Sequence, residues 1–130
     1  MSIEAGLWSL LVNDAEVALE VDDRVYPVVL PQPPTYPAVT YRRISQNIPL
    51  AHDGPVAFSA DRFQVDCYAE EIADLVSVVA AVRTCLNGYS GTSVGVKIWC
   101  IKLLNQVNGF GEAADVMRSS IDFLVTYRVG

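Results

Sequence analysis

Charge is scarce in this 130-residue sequence: only 18% of residues are charged, and the nine bases are outnumbered by fifteen acids. The resulting net charge of −6 repels a phosphate backbone, whereas affinity for nucleic acid rests on clustered Lys and Arg, which argues against sequence-specific DNA binding. Histidine occurs once, as His52, and no nucleophile elbow, His-Glu helix motif or Cys-x-x-Cys accompanies it. A base or metal ligand without a second member is better read as a loop histidine. Cysteine is limited to Cys67, Cys85 and Cys100, an odd number without close spacing, so neither a disulfide framework nor a thiolate metal site is expected, and a reducing compartment is. Long apolar runs are missing too. The longest, around Leu75 to Val82, is interrupted by Ser77 and flanked by Glu71, Asp74 and Arg83, far short of the ~20 apolar residues of a membrane span. The opening residues carry Glu4 and no basic region, so they do not read as a secretory signal.

What is abundant is apolar surface. At 52% hydrophobic residues the chain is expected to fold, and its length fits one domain, residues 1–130, burying about two-thirds of its open-chain surface.

The patterning predicts a first helix from about residue 3 to 12, capped by Ser2 with Ile3, Leu7, Leu10 and Leu11 on one face. A short helical turn over Ala15 to Val21 follows Asn13-Asp14, then an edge or bulged strand over Arg24 to Leu30, interrupted by Pro27. Pro31, Pro33, Pro34 and Pro37 impose an extended connection to a strand over Val39 to Ser45. After a loop over Ile48 to Val56, strict alternation begins: Phe63, Val65, Cys67 and Ala69 share one face, and Arg62, Gln64, Asp66 and Tyr68 the other. Glu70 and Glu71 open the clearest helix, whose stripe is Ile72, Leu75, Val76, Val79, Val82 and Leu86, ending at Asn87-Gly88. Two more strands, Val94 to Leu104 and Met117 to Val129, flank a loop over Asn105 to Val116. Without strict β-α alternation, this order predicts an α+β fold: an antiparallel sheet of about four to five strands with helices packed on one face.

Candidate chemistry is thin. Gly109-Phe110-Gly111 lacks the strand-turn-helix context and lysine of a phosphate loop, and Glu70, Glu71 and Asp74 are explained by a helix start. No cofactor and no metal are expected. The informative feature is apolar surface off the core stripes: Val78, Ala81 and Cys85 on the long helix, Ala5, Trp8 and Val12 on the first, and Trp99 with Ile101 opposite Ile98 and Cys100. Large apolar patches mark interfaces, so Trp8, Val12, Val78, Ala81, Cys85 and Trp99 are candidate subunit contacts.

Five segments in order and spacing carry a resemblance: Asp23-Arg-Val-Tyr-Pro27, Leu30-Pro-Gln32, Pro37-Ala-Val-Thr-Tyr-Arg-Arg-Ile-Ser45, Arg62-Phe-Gln-Val-Asp-Cys-Tyr-Ala69, and Ile121-Asp-Phe closed by Tyr127-Arg128. Together they resemble the tail-completion, or tail-terminator, proteins of long-tailed bacteriophages, a part that phage-derived gene-transfer particles also use. The resemblance implies a structural virion protein without catalytic residues, assembled in the host cytoplasm. It would form a ring, typically of six copies, at the tail-head junction, partnered by the tail-tube protein and the head-tail connector, with DNA passing through. No membrane partner is expected. The alternatives from other classes are a head-closure or neck adaptor and a small ligand-binding α+β domain.

Such a ring would carry about −36 in formal charge over six copies, which favours an acidic or neutral lumen in which DNA slides. The acids expected for that lining are Asp53, Asp61, Asp66, Glu112 and Asp115, with Arg42, Arg43 and Arg62 as strand-borne exceptions. The loops Ile48 to Phe58 and Asn105 to Val116 are the expected contact loops toward tube or neighbour.

Overall fold

A computed structural model describes residues 2–46, 57–110 and 115–129. Two helices open the chain. In α1 (Ile3–Asn13) the Ser2 hydroxyl accepts from the Ala5 amide at 3.2 Å, and in α2 (Ala15–Val21) an Asp14 carboxylate oxygen accepts from the Val17 amide at 3.0 Å. Each cap satisfies an amide that has no partner within its own helix.

The strands that follow are β1 (Val25–Pro27), β2 (Ala38–Ser45), β3 (Ala57–Ala69), β4 (Gly91–Ser93), β5 (Val96–Phe110) and β6 (Met117–Val129), with α3 (Ile72–Leu86) between β3 and β4. They form one sheet in the order β1-β2-β3-β6-β5-β4. The expectation of four to five antiparallel strands is corrected here: there are six among the described residues, and β1 pairs with β2 in parallel. Val28 leaves β1 with φ 66°, and the proline-rich segment then carries the chain back far enough for β2 to run alongside β1 in the same direction. β4 escapes a periodicity reading because it is three residues long and ends at a two-residue turn, Val94-Gly95, where both φ angles are positive.

Alternation along β3 and β6 sets the core face. Phe63, Val65, Cys67, Ile121, Phe123 and Val125 are all buried under the helices, at about 1.5–3 kcal/mol for each large apolar side chain removed from water. Two bulges re-phase β5 against β6, one between Ile98 and Cys100 and one between Leu103 and Asn105. The first explains why Ile98 and Ile101, three residues apart, both point into the core while Trp99 and Cys100 are exposed, contrary to a simple alternation through this segment. β5 also runs on to Phe110, so residues 105–110, expected in a loop, are strand. The other expected loop, from Ile48 to Val56, lies outside the described residues, and so do His52 and residues 111–114.

The long helix is turned relative to the expected stripe. It packs on β3, β5 and β6 below and on α1 and α2 beside it, and therefore buries two adjoining flanks. Leu75, Val79, Val82 and Leu86 are buried as expected, but Val78 and Ala81 are buried with them, whereas Ile72 and Val76 stand 63% and 61% exposed.

Candidate assembly surfaces

The six residues proposed as subunit contacts do not share one surface. Val78 and Ala81 belong to the chain's own core, because the flank of α3 that carries them faces α1 and α2; their assignment to a free second face is corrected by this packing. Val12 and Cys85 are partly buried against the same core. The Cys85 thiol donates to the Leu10 carbonyl at 3.4 Å, and burial, with a smaller contribution from Asp14, pushes its pKa up to about 12. Trp8 stays half-exposed while its Nε1 donates to the Val25 carbonyl at 3.2 Å, pinning α1 to β1. Trp99 is 55% exposed and meets Phe58 edge-on, ring centroids 4.9 Å apart.

The acids expected in a lumen are also dispersed. Asp53 and Glu112 lie outside the described residues. Asp61 is fully buried, which corrects its placement on a solvent-facing lining: its carboxylate accepts from Ser59 Oγ and, at 2.7 Å, from Tyr127 Oη, and lies 3.1 Å from Arg43 Nε in an ion pair whose geometry falls outside that of a hydrogen bond. Arg43 continues the chain of contacts, donating through Nη2 to Glu4 at 3.2 Å and lying over the Phe63 ring. Burial, and after it the bond to Asp61, raises the Tyr127 pKa above its ordinary value. This cluster ties α1, β2, β3 and β6 together. Asp66 is likewise buried, accepting from Gln64 Nε2 at 2.8 Å. Asp115 alone of the described three is exposed.

What sequence reading missed is the distribution of charge between the two faces of the molecule. The face of the sheet turned away from the helices carries Arg42, Arg62, Lys97, Lys102, Arg118 and Arg128, six of the nine bases, at alternating positions of β2, β3, β5 and β6. The two acids on those strand positions, Asp66 and Asp122, are both buried, and Asp122 is engaged by Arg62. Trp99, Leu104 and Val107 add exposed apolar area along β5. On the helix layer the balance reverses: α2 shows Leu19, 85% exposed, between Glu16 and Glu20 and followed by Asp22 and Asp23. Strand alternation was legible in the sequence for β3 and β6, but their polar positions hold three bases against two acids, and the asymmetry emerges only when Arg42 of β2 and Lys97 and Lys102 of the bulged β5 are added.

An open groove of about 670 Å³ beside α3 is lined by apolar and amide side chains with Arg83 as its one charged residue, and Arg83 Nη1 donates to Gln106 Oε1. Among the described residues no three His, Cys, Asp or Glu side chains gather as metal ligands, and no helix is long and apolar enough to cross a membrane.

Comparison with known proteins supplies what geometry leaves open. No curated protein matches the chain. A solved chain from a structure described as "Virion of native gene transfer agent (GTA) particle" shares the fold at TM-score 0.79 and 22% identity, covering 98% of this chain and 96% of its own. The model of the family described as Tail completion protein gp17 matches residues 5–128. With nearly its whole length matched, the chain belongs to the tail completion protein gp17 family of phage-type tail structural proteins.

Proposed function

We propose that this protein is a ring-forming virion component that terminates the tail tube and joins the tail to the head connector, with six copies surrounding a passage for DNA. The observation that carries the reading is the family match across residues 5–128. Three physical features support it. Buried carboxylates among the described residues are held in structural pairs, Asp61 with Tyr127 and Asp122 with Arg62, as in a scaffold. The two faces of the subunit carry opposite charge, a property suited to repeated head-to-tail contacts. The chain as a whole is acidic, which disfavours tight retention of DNA by counterion release. Residues 1–130 act here as one structural unit, placed at the tail-head junction after assembly in the host cytoplasm, and the subunit needs no cofactor.

The test is the position and copy number of the chain in purified particles. Electron microscopy of tails carrying a tagged copy should place a ring at the head-proximal end of the tube, and loss of the protein should yield tails of uncontrolled length that do not join heads. Label on the portal side, with tails of normal length after its loss, would assign the chain to a neck adaptor. Saturable binding of a small ligand by the free monomer, with normal tails in its absence, would assign it to a ligand-binding domain.

A further inference from the structure

We propose that neighbouring subunits join through a charge-complementary, head-to-tail contact in which the acid-ringed Leu19 knob on α2 of one copy docks on the base-rich open face of the sheet, beside Trp99, of the next. This rests on the ring reading above and specifies the surfaces that build it.

The first observation is the open sheet face itself. An antiparallel sheet often leaves one face in water, but such a face ordinarily mixes charges of both signs. Here Trp99 is steadied by Phe58, the residue paired with the exposed Arg128 across β3 and β6, and Lys102 is exposed three residues further along β5. An exposed tryptophan with an arginine at hand has the composition of a protein interface centre, where aromatic residues and Arg are enriched.

The second observation is α2. Val17 and Val21 are buried, and Leu19, about 200° around the helix from each, points away from the core. A leucine at 85% exposure is a prominent apolar projection, and Glu16, Glu20, Asp22 and Asp23 surround it with negative charge. The patch on the sheet and the knob on the helix are thus apolar centres with rims of opposite sign, and such rims fix partner and orientation.

The two surfaces lie on opposite sides of the subunit, since α2 belongs to the helix layer, packed on α1 and α3, while the bases stand on the sheet face turned away from that layer. A contact between unlike patches on opposite sides is heterologous, and repeating it closes into a ring when the rotation per step permits. It also covers bases that would otherwise hold passing DNA, leaving the remainder of each subunit more acidic than its formal charge.

The experiment is a charge swap in the full-length chain. Lys102→Glu with Arg128→Glu reverses the sheet side, and Glu16→Arg with Glu20→Arg reverses the helix side. All four positions lie outside the buried core, and circular dichroism with thermal melts checks that each variant folds. Assembly is followed by native mass spectrometry and negative-stain microscopy, for the chain alone and in the presence of tail tubes from the same particle. Each reversal should raise the concentration needed for ring formation at least about tenfold, and combining both should restore it to within about threefold of the original. Rings that form equally well in the single-side variants, or that the combined swap fails to rescue, overturn the inference while leaving the ring reading intact. A chain that forms no ring alone or on tubes overturns both. Salt-sensitive binding of a labelled DNA duplex that is lost in the sheet-side variant, with assembly unchanged, overturns the inference by assigning the face to DNA.

Discussion

Tyr127 Oη donates a 2.7 Å hydrogen bond to Asp61 Oδ2, linking β6 to β3 inside the core at the point where Arg43 reaches in from β2. An acid with no exposed surface is tolerated there because three side chains compensate its charge: Ser59, Tyr127 and Arg43. Removing one member leaves the others buried and underpaired. Asp61→Asn is expected to cost about 3 kcal/mol, since breaking a buried ion pair strands the remaining charge, and Tyr127→Phe about 1 kcal/mol. Because both changes disturb one network, the double variant should be less destabilised than the sum of the two by at least about 0.5 kcal/mol. Urea denaturation of the three variants gives the answer, and strict additivity would show that the bond carries no coupling.

The turn between β4 and β5 holds a local conflict. Val94 has φ 48° and 47% exposure, so a β-branched residue occupies a left-handed conformation without a buried contact to justify it. With Gly95 at φ 77° the pair adopts the positive-φ geometry that Asn-Gly fills best. Val94→Asn should therefore stabilise the protein by about 1 kcal/mol, or about 4 °C in melting temperature for a chain of this size. A lower melting temperature would mean that Val94 makes a contact worth more than its backbone strain.

The three thiols separate by environment. Cys67 is buried, and burial with the nearby Asp66 charge raises its pKa; Cys85 is held at about 12; Cys100 is exposed on the open sheet face. At pH 8 the thiolate fraction of Cys85 is on the order of 10⁻⁴, so a thiol reagent should titrate one cysteine per native chain and none in Cys100→Ser. The same shifts predict alkaline behaviour. Groups that hold their protons more tightly when folded contribute stability below their unfolded pKa and lose it as pH rises toward the folded value. For Cys85 that window runs from 9.0 to about 12, and Tyr127 and Tyr41, both raised above 10.0 by burial first, extend the loss in the same direction. Stability should fall above pH 9, less steeply in Cys85→Ala; a flat profile to pH 11 would contradict the burial of these groups.

The elements legible in the sequence are those that bury one stripe or face in an unbroken phase. α1 shows a single buried stripe, Ile3, Leu7 and Leu11, and β3 and β6 alternate against one helix layer. The illegible parts bury a second flank or have an interrupted phase. α3 is packed on two flanks, so its two apolar stripes did not separate into core and interface, and the true leftovers are Ile72 and Val76. The β5 bulge between Ile98 and Cys100 turns Ile101 into the core and Cys100 out of it by adding a residue, which no alternation count anticipates. Asp61 sits in phase with Phe63 and Val65, so its burial follows from strand alternation once partners sixty-six residues away at Tyr127 are known to reach it.

Substitution on α3 and at Trp99 separates core from surface. Val78 is 1% exposed, and an aspartate there would bury a carboxylate among Leu, Val and Ala side chains with no cation to pair it. The cost, several kcal/mol against a total of about 5–15 kcal/mol, is enough to unfold much of the chain, and Ala81→Glu at 5% exposure adds overpacking to the same penalty. Neither variant should yield a folded monomer. Trp99→Ala differs: more than half of the ring is already in water, and the lost edge contact with Phe58 is worth about 0.5–1.5 kcal/mol. Denaturation midpoints measured beside assembly state discriminate the cases. Val78→Asp should lose the cooperative transition, while Trp99→Ala should keep it, shifted slightly, and assemble poorly. A cooperatively folded Val78→Asp monomer that fails only in assembly would show that this flank of α3 faces a neighbouring subunit after all.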